Sequence, residues 1–375
     1  MKSALIGAAA VLLTAAVTVA QTPKPPMADD VFKNVQVLKG ISVAEFMDTM
    51  GFFSAAVGSN CVHCHVEESL THWEKFAEDV PRKRRARQMV QMVAAINKAN
   101  FGGAQVVTCY TCHHGDIRPE GVPSLLAQYS LPIEDPNRVE VVPDTKGPTA
   151  EQLLDKFVEA VGGAQNLARV TSLRAKGTYV GFDTYEQKVP LDLFVKAPNQ
   201  RTTIIHTQNG DTSAVFDGRR GWLASIDKPI TFMPLDRSDL DGASLDARLA
   251  IPAGIKQAAS RWRVGFPMSA IDDRPVHIIE GTGENTTRFK LFFDAESGLL
   301  LRVVRYSPTV VGTVPVQTDY ADYRNVGSIK IPFKTVLTYT NGQGTIEFTQ
   351  VQANAPIDPA VFAQPAPAVV KPAVR

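Results

Sequence analysis

The sequence predicts two unlike domains. The first is α-helical; the second is α+β, with a curved antiparallel sheet forming a half-barrel over helices. Three observations predict this. All four cysteines of the 375-residue chain fall in two copies of one five-residue pattern. The text before each copy carries apolar residues at three- and four-residue spacing, the helical period. From about Val170 the period changes to two and stays there to about Ala353. At about 150 residues per domain, the length fits two or three domains. A chain that is 44% hydrophobic and 21% charged buries ordinary cores, which excludes wholesale disorder and fibrous repeats. Lys plus Arg number 39 against 38 Asp plus Glu, so the basic footprint of a nucleic-acid binder is missing.

Residues 1–20 read as a secretory signal. Lys2 supplies the positive start, Leu5 to Val19 is apolar, and Thr18-Val19-Ala20 offers a cleavage site before Gln21. The expected location is therefore the periplasm. Uncleaved, the same stretch is near the lower limit for a membrane span and would anchor the chain. Removing Lys2 leaves 38 basic against 38 acidic side chains.

Exported cysteines normally pair as disulfides. Here Cys61-Val62-His63-Cys64-His65 and Cys109-Tyr110-Thr111-Cys112-His113 are both CxxCH. This spacing suits covalent c-type haem, with two thioethers to the porphyrin and the adjoining histidine beneath the iron. A thioredoxin-like CxxC, which needs no following histidine, competes for one copy and a zinc knuckle for the pair, but both copies carry the histidine, both sit in an exported chain and no cysteine is left over. The expected cofactors are two haem c groups on Cys61, Cys64, Cys109 and Cys112. His65 and His113 are then the proximal iron ligands.

Each iron needs a sixth ligand or an open site. Ser42-Val43-Ala44-Glu45 is a capping box opening a helix that runs through Phe46, Met47, Met50 and Phe53 to a Gly58 stop. A second helix begins near Pro81 and runs to about Asn97, with Met89, Met92, Val93 and Ile96 on one face. Each CxxCH thus follows a helix with two methionines three residues apart. Methionine on an apolar face is ordinarily core filler, but thioether sulfur is also a soft iron ligand that raises the potential.

Residues 41 to about 120 resemble the cytochrome subunit of bacterial photosynthetic reaction centres, a tetrahaem chain of paired helix–CxxCH units. The matching text is Val43-Ala44-Glu45-Phe46 through Met50 into Cys61 to His65. It continues with Arg87-Gln88-Met89-Val90-Gln91-Met92, Ala95-Ile96-Asn97, and Val107-Thr108 into Cys109 to His113 with Gly115. The resemblance is closest to one half of that chain. It implies Met50 as sixth ligand for the haem on Cys61 and Cys64, and Met89 for the haem on Cys109 and Cys112, with Met92 as the rival of Met89. Met47 and Met92 become packing neighbours. The family also places a distal histidine before the second motif. Here that stretch, Phe101 to Gln105, has none, which suits a chain without further haems.

His63 and His114 flank the motifs and read as haem-edge surface residues. His72 reads either as a propionate donor or as a polar neighbour of Trp73, and His206 and His277 as core or surface residues of strands. Arg82-Lys83-Arg84-Arg85-Ala86-Arg87 places cations at the positive end of a helix. Haem propionates would compensate one or two of the arginines, and solvent the rest; a docking face for an acidic partner is the other option.

The dihaem module is assigned to 21–133 and a Pro-rich linker to 134–148. A chain ended near residue 140 is expected to fold alone. The β-domain is assigned to 149–358. It opens with the capping box Thr149-Ala150-Glu151-Gln152, carries about ten strands, and is interrupted by helix between about 240 and 262. The Pro/Ala-rich tail, 359–375, is expected to be mobile. This domain resembles the outer-membrane lipoprotein carrier superfamily, whose half-open barrel holds acyl chains. The matching text is Val161-Gly162-Gly163-Ala164 through Thr171 to Ala175 with Gly177, then Phe216-Asp217-Gly218-Arg219, Gly221-Trp222, and Phe293 to Leu299. That implies an apolar or lipid ligand; a scaffold docking the haem module is the alternative.

The expected function is electron transfer between redox partner proteins, not turnover of a substrate. A peroxidase-like dihaem enzyme with one openable iron, and a lipid carrier with accessory haems, are the competing classes.

Overall fold

The computed structural model describes residues 24–130, 135–138, 147–226, 228–265 and 269–370. The signal read at 1–20, most of the linker and the last five residues lie outside the described residues.

Helix α1, Val43–Val57, starts where the capping box places it. Ser42 Oγ accepts from the Glu45 N–H at 3.2 Å. It ends at Gly58, whose φ of 60° is left-handed, the conformation a helix stop asks of glycine. Thr49, Phe52 and Ala56 form its buried face. Helix α2, Pro81–Asn100, has proline in its first turn and runs one turn beyond the expected Asn97. Only Val93 and Asn97 of its twenty residues are buried. Helix α3, Cys109–His113, is the second CxxCH motif itself. The first motif is a 3-10 turn, Cys61–His63.

The second domain is one antiparallel sheet of fourteen strands among the described residues. These are β1 Ser172–Gly181, β2 Val189–Lys196, β3 Gln200–His206, β4 Asp211–Phe216, β5 Gly221–Ala224, β6 Met233–Pro234, β7 Arg261–Val264, β8 Ser269–Ile271, β9 Arg274–Thr282, β10 Arg288–Asp294, β11 Leu300–Thr309, β12 Gly312–Val326, β13 Ile329–Tyr339 and β14 Gly342–Ala353. The order β6-β5-β4-β3-β2-β1-β14-β13-β12-β11-β10-β9-β7 is a meander whose first and last long strands pair at the centre, and it does not close. The alternation expected from sequence is clear in β2, where Val189, Leu191, Leu193 and Val195 are buried. Strands β6, β7 and β8 are too short to show a period, which is why about ten strands were expected.

Helix α4, Ala150–Ala160, carries the predicted reciprocal Thr149–Gln152 cap. It packs Leu153, Leu154 and Phe157 against the sheet beside Leu245 of α5, Arg237–Ala250, and Ile255. Among the described residues this is the largest apolar core, each fully buried large side chain contributing about 1.5–3 kcal/mol.

The helical module shares a smaller core with the sheet. Phe52 and Ala56 of α1 pack in one cluster with Val311 and Val314 from the β11–β12 turn. Arg237 Nη1 meets Glu45 Oε2 at 3.0 Å, and Gln105 Nε2 donates to the Thr309 carbonyl at 3.0 Å. The linker is also tied down at Asn137: its carbonyl accepts from Lys290 Nζ at 2.9 Å and Tyr306 OH at 3.1 Å. The tail departs from its expected mobility as far as Ala368. Phe362 is buried, the Val361 carbonyl accepts from Thr202 Oγ1, and Ala368 N donates to the Thr231 carbonyl. A buried aromatic outweighs the local preference of a Pro/Ala run.

Candidate haem sites

The second motif is built by two local devices. Asn97 is buried near the end of α2 and clamps Val107 through both main-chain groups. Its Nδ2 donates to the Val107 carbonyl at 2.7 Å, and Val107 N donates to Asn97 Oδ1 at 2.9 Å. This delivers Thr108 to the start of α3, where its hydroxyl accepts from Thr111 N while Thr111 Oγ1 accepts from Thr108 N. After His113 the chain turns through His114 (φ 49°) and Gly115 (φ 90°). The turn brings the Asp116 carbonyl to 2.8 Å from His113 Nδ1. A carbonyl only accepts, so Nδ1 carries the proton and the Nε2 lone pair is left for a metal.

The first motif is held from the other side. The His65 ring lies edge-on to Phe76, with centroids 4.9 Å apart. Burial, reinforced by Lys83, holds its pKa below the usual value. The Phe76 carbonyl beside the ring opposes that lowering.

The four thiols are free. Burial pushes the Cys64 and Cys109 thiols up, the opposite of the lowered attacking thiol of a thioredoxin-type pair. Among the described residues no group of three or more His, Cys, Asp or Glu converges on a metal-binding cluster. Exposed apolar side chains flank both motifs in sequence. Leu70 is 63% exposed, Trp73 47%, Phe101 41%, Val106 56% and Tyr110 39%, all close in sequence to a motif. A porphyrin on these thiols and histidines would cover such side chains. The residues present fit haem c.

The second motif is joined to the end of α1. Gly115 N donates to the Ala56 carbonyl at 3.0 Å, and a Cβ on Gly58 would stand 1.9 Å from the Gly115 oxygen. The end of α1 and the second motif therefore touch main chain to main chain. Met50 is half-buried with Phe46 and Phe53, bordering the cluster that Val90 and Cys109 also border. Met89 is half-buried, Met47 likewise, and Met92 is 44% exposed.

The cations of α2 brace the first motif. Arg82 Nη1 donates to the His63 carbonyl at 3.2 Å, and Lys83 Nζ to the Phe76 carbonyl at 2.7 Å. Arg84 and Arg87 both meet Asp79, two residues before the helix. The Arg87 hydrogen bond holds the Asp79 carboxyl below its usual range. The compensation expected at this helix start is thus partly internal. At the junction of α1 with α5, burial and the neighbouring Asp239 push Asp48 up to about 7.

His72 is exposed, 3.6 Å from Glu74. His206 lies between Asp192 and Asp211, at 3.0 and 3.2 Å, and braces neighbouring strands. Burial lowers the pKa of His277 on β9. In the sheet domain a polar cleft of about 120 Å³ is lined by Asn199, Arg219, Asp241, Arg248 and Glu284. Asn97 and Thr108 were not singled out from sequence. The Thr-x-x-Thr spacing was a readable cap signal, whereas the clamp depends on the 104–107 segment folding back.

No helix among the described residues is long and apolar enough to cross a membrane. The family model described as photosynthetic reaction centre cytochrome C subunit matches residues 6–130. The reaction-centre cytochrome c subunit of Thermochromatium tepidum is 39% identical over 100 residues, covering 25% of this chain and 23% of that protein. The one from Rubrivivax gelatinosus is 36% identical over 101 residues, covering 26% of each. A LolA-superfamily protein from Nitrosomonas europaea aligns over 58% of this chain and 98% of its own, with TM-score 0.40 and 13% identity. A DUF1329-family protein from Desulfovibrio piger aligns over 57% and 96%, with TM-score 0.38 and 9% identity. The chain spans about a quarter of the length of the curated relatives it matches, and its N-terminal third is similar to the reaction-centre cytochrome c subunits.

Proposed function

We propose that this chain is an exported dihaem c-type cytochrome that passes electrons between redox partner proteins. When bound, each haem supplies one reversible electron. The observation that carries the reading is the His113 turn. A capped CxxCH helix with two free thiols is followed by a carbonyl that fixes the imidazole tautomer for a metal on Nε2. The same residue pattern is repeated at Cys61, Cys64 and His65, where burial lowers the pKa of the ring. Met50 and Met89, on the helices leading to the motifs, are the proposed sixth ligands. Two such ligands saturate the iron, which suits electron transfer and not the binding of a substrate.

We read the sheet domain as a scaffold. The face it turns to α4 and α5 is filled by its own side chains, among them Leu154, Phe157, Leu191, Ile255 and Leu291. Its contacts with α1 through Val311, Val314 and Arg237 tie it to the haem module. A lipid carrier would hold its ligand in that filled space. The test of the main reading is a pyridine haemochrome assay on the mature protein after acid extraction. Two haems per chain that resist extraction are expected; one or none overturns the assignment.

A further inference from the structure

The polar cleft of about 120 Å³ in the sheet domain stands apart from the helical module, which contributes none of its lining residues. Its floor is one side of α5, where Leu240, Asp241, Ser244 and Arg248 recur at helical spacing while Leu245 faces the main core. Two turns wall it in. Between β9 and β10 the Asp241 carboxylate holds the turn, accepting from Asn285 N at 3.1 Å, Asn285 Nδ2 at 2.8 Å and Thr287 N at 3.3 Å. Between β4 and β5, Asp217 Oδ1 accepts from Arg219 N at 2.8 Å and Arg220 N at 2.6 Å. Asn199 Nδ2 donates to the Gly218 carbonyl at 3.1 Å in the same turn. Both turns close only on glycine: a Cβ on Gly283 would stand 2.8 Å from Asp241 Oδ2, and one on Gly218 (φ 99°) 2.9 Å from Asn199 Oδ1. The Asp241 and Asp217 carboxylates are thus committed to the turns, and Asp217 also meets the Arg220 side chain at 3.6 Å. Among the described residues the side chains of Arg219 and Arg248 form no ion pair and no hydrogen bond, although both line the cleft.

We propose that this cleft is a binding site for the carboxylate or phosphate group of a small molecule, held by the guanidinium groups of Arg219 and Arg248. Guanidinium presents paired N–H donors that match such oxygens, and hydrogen bonds between opposite charges are stronger than neutral ones. Arg248 is half-buried, so its charge is less screened than one on open surface. The Ser244 hydroxyl and the Gln257 amide line the same cleft and add neutral donors. Glu284, exposed at the rim, opposes a bare anion and favours a ligand with a hydroxyl or ammonium group beside its oxyanion. At about 30 Å³ per water in the liquid, the volume suits a small molecule, and the polar lining does not suit an acyl chain. The walls are ready-made, since the turns are fixed by Asp241 and Asp217 before any ligand enters.

The test is isothermal titration calorimetry of the full-length protein with inorganic phosphate and, separately, with succinate, at an ionic strength held constant by sodium chloride. Saturable binding of at least one, tighter than about 1 mM, is expected. Phosphate alone marks a phosphate site, succinate alone a carboxylate site, and both a site that reads the oxyanion. Arg219→Gln and Arg248→Gln are each expected to weaken binding at least about tenfold, the loss of a charge-assisted hydrogen bond, and Glu284→Gln to tighten it. Neither guanidinium holds another residue of the fold, so both variants should keep the wild-type melting temperature. Arg85→Gln, among the cations that open α2, is the control for anion binding elsewhere and should leave the affinity unchanged. No saturable binding of either anion, binding that survives both cleft substitutions, or binding lost in Arg85→Gln in their place overturns the proposal. The haem count does not enter this readout, so the site and the electron-carrier reading fail separately.

Discussion

Met50 and Met89 are the residues on which the electron-carrier reading turns, because a saturated iron cannot take up a small ligand. Met50→Ala is expected to open one haem to carbon monoxide, and Met89→Ala the other. Met47→Ala and Met92→Ala should cost only packing, about 1–3 kcal/mol at most and least at Met92, which is 44% exposed. Carbon monoxide difference spectra of the four variants check this. If Met92→Ala opens the second haem in place of Met89→Ala, the ligand changes and the carrier reading stands. Asn97 gives a second prediction. Asn97→Ala leaves the Val107 carbonyl and N–H without their buried partner, so chemical denaturation should show a loss of about 1–3 kcal/mol, with the second motif loosened first. The cysteine, histidine and methionine assignments could be made from sequence because the chemistry proposed for them is written in short spacings. Asn97 was not, because its role exists only once residues ten positions on have folded back to it.

The helices show where local signals suffice. Ser42 and Thr149 opened α1 and α4 as read, and Gly58 closed α1, since caps are settled within four residues of chain. The long strands followed from alternation, while β6, β7 and β8 carry too few residues to alternate. What α1 packs against was beyond sequence reading, and it bears on pH dependence. Asp48 of α1 faces Asp239, Arg305, Lys228 and Glu45 around the α1–α5 contact, and burial raises it from 3.8 to about 7. An acid whose folded-state pKa is raised stabilises the fold fully below its unfolded value. That contribution fades as pH rises through 7. The contribution of Asp48 is therefore expected to fall between about pH 4 and pH 7, so that Asp48→Asn gains stability relative to wild type across that range, as urea midpoints will read. A steeper fall in Asp48→Asn would contradict this account of the contact.

Across the whole molecule, the helical module and the sheet meet through a shared core whose partners are more than 250 residues apart in sequence, Phe52 with Val311 and Val314. Neither periodicity nor motif spacing encodes such a pairing, and the Val311 turn reads as an ordinary hairpin. A chain ended near residue 140 loses the cover over Phe52 and Ala56. Its haem module is expected to melt at a lower temperature than the same module in the full chain, followed by haem absorbance; equal melting would show that the shared core adds nothing. The central claim is that this chain holds two covalent haems, each closed to exogenous ligands. The most direct measurement is the absorption spectrum of the reduced full-length protein before and after carbon monoxide, with haem counted in the same sample. The account predicts two haems per chain and an unchanged spectrum. Stoichiometric carbon monoxide binding at one haem of the wild type would contradict it and make the protein an enzyme with an open site.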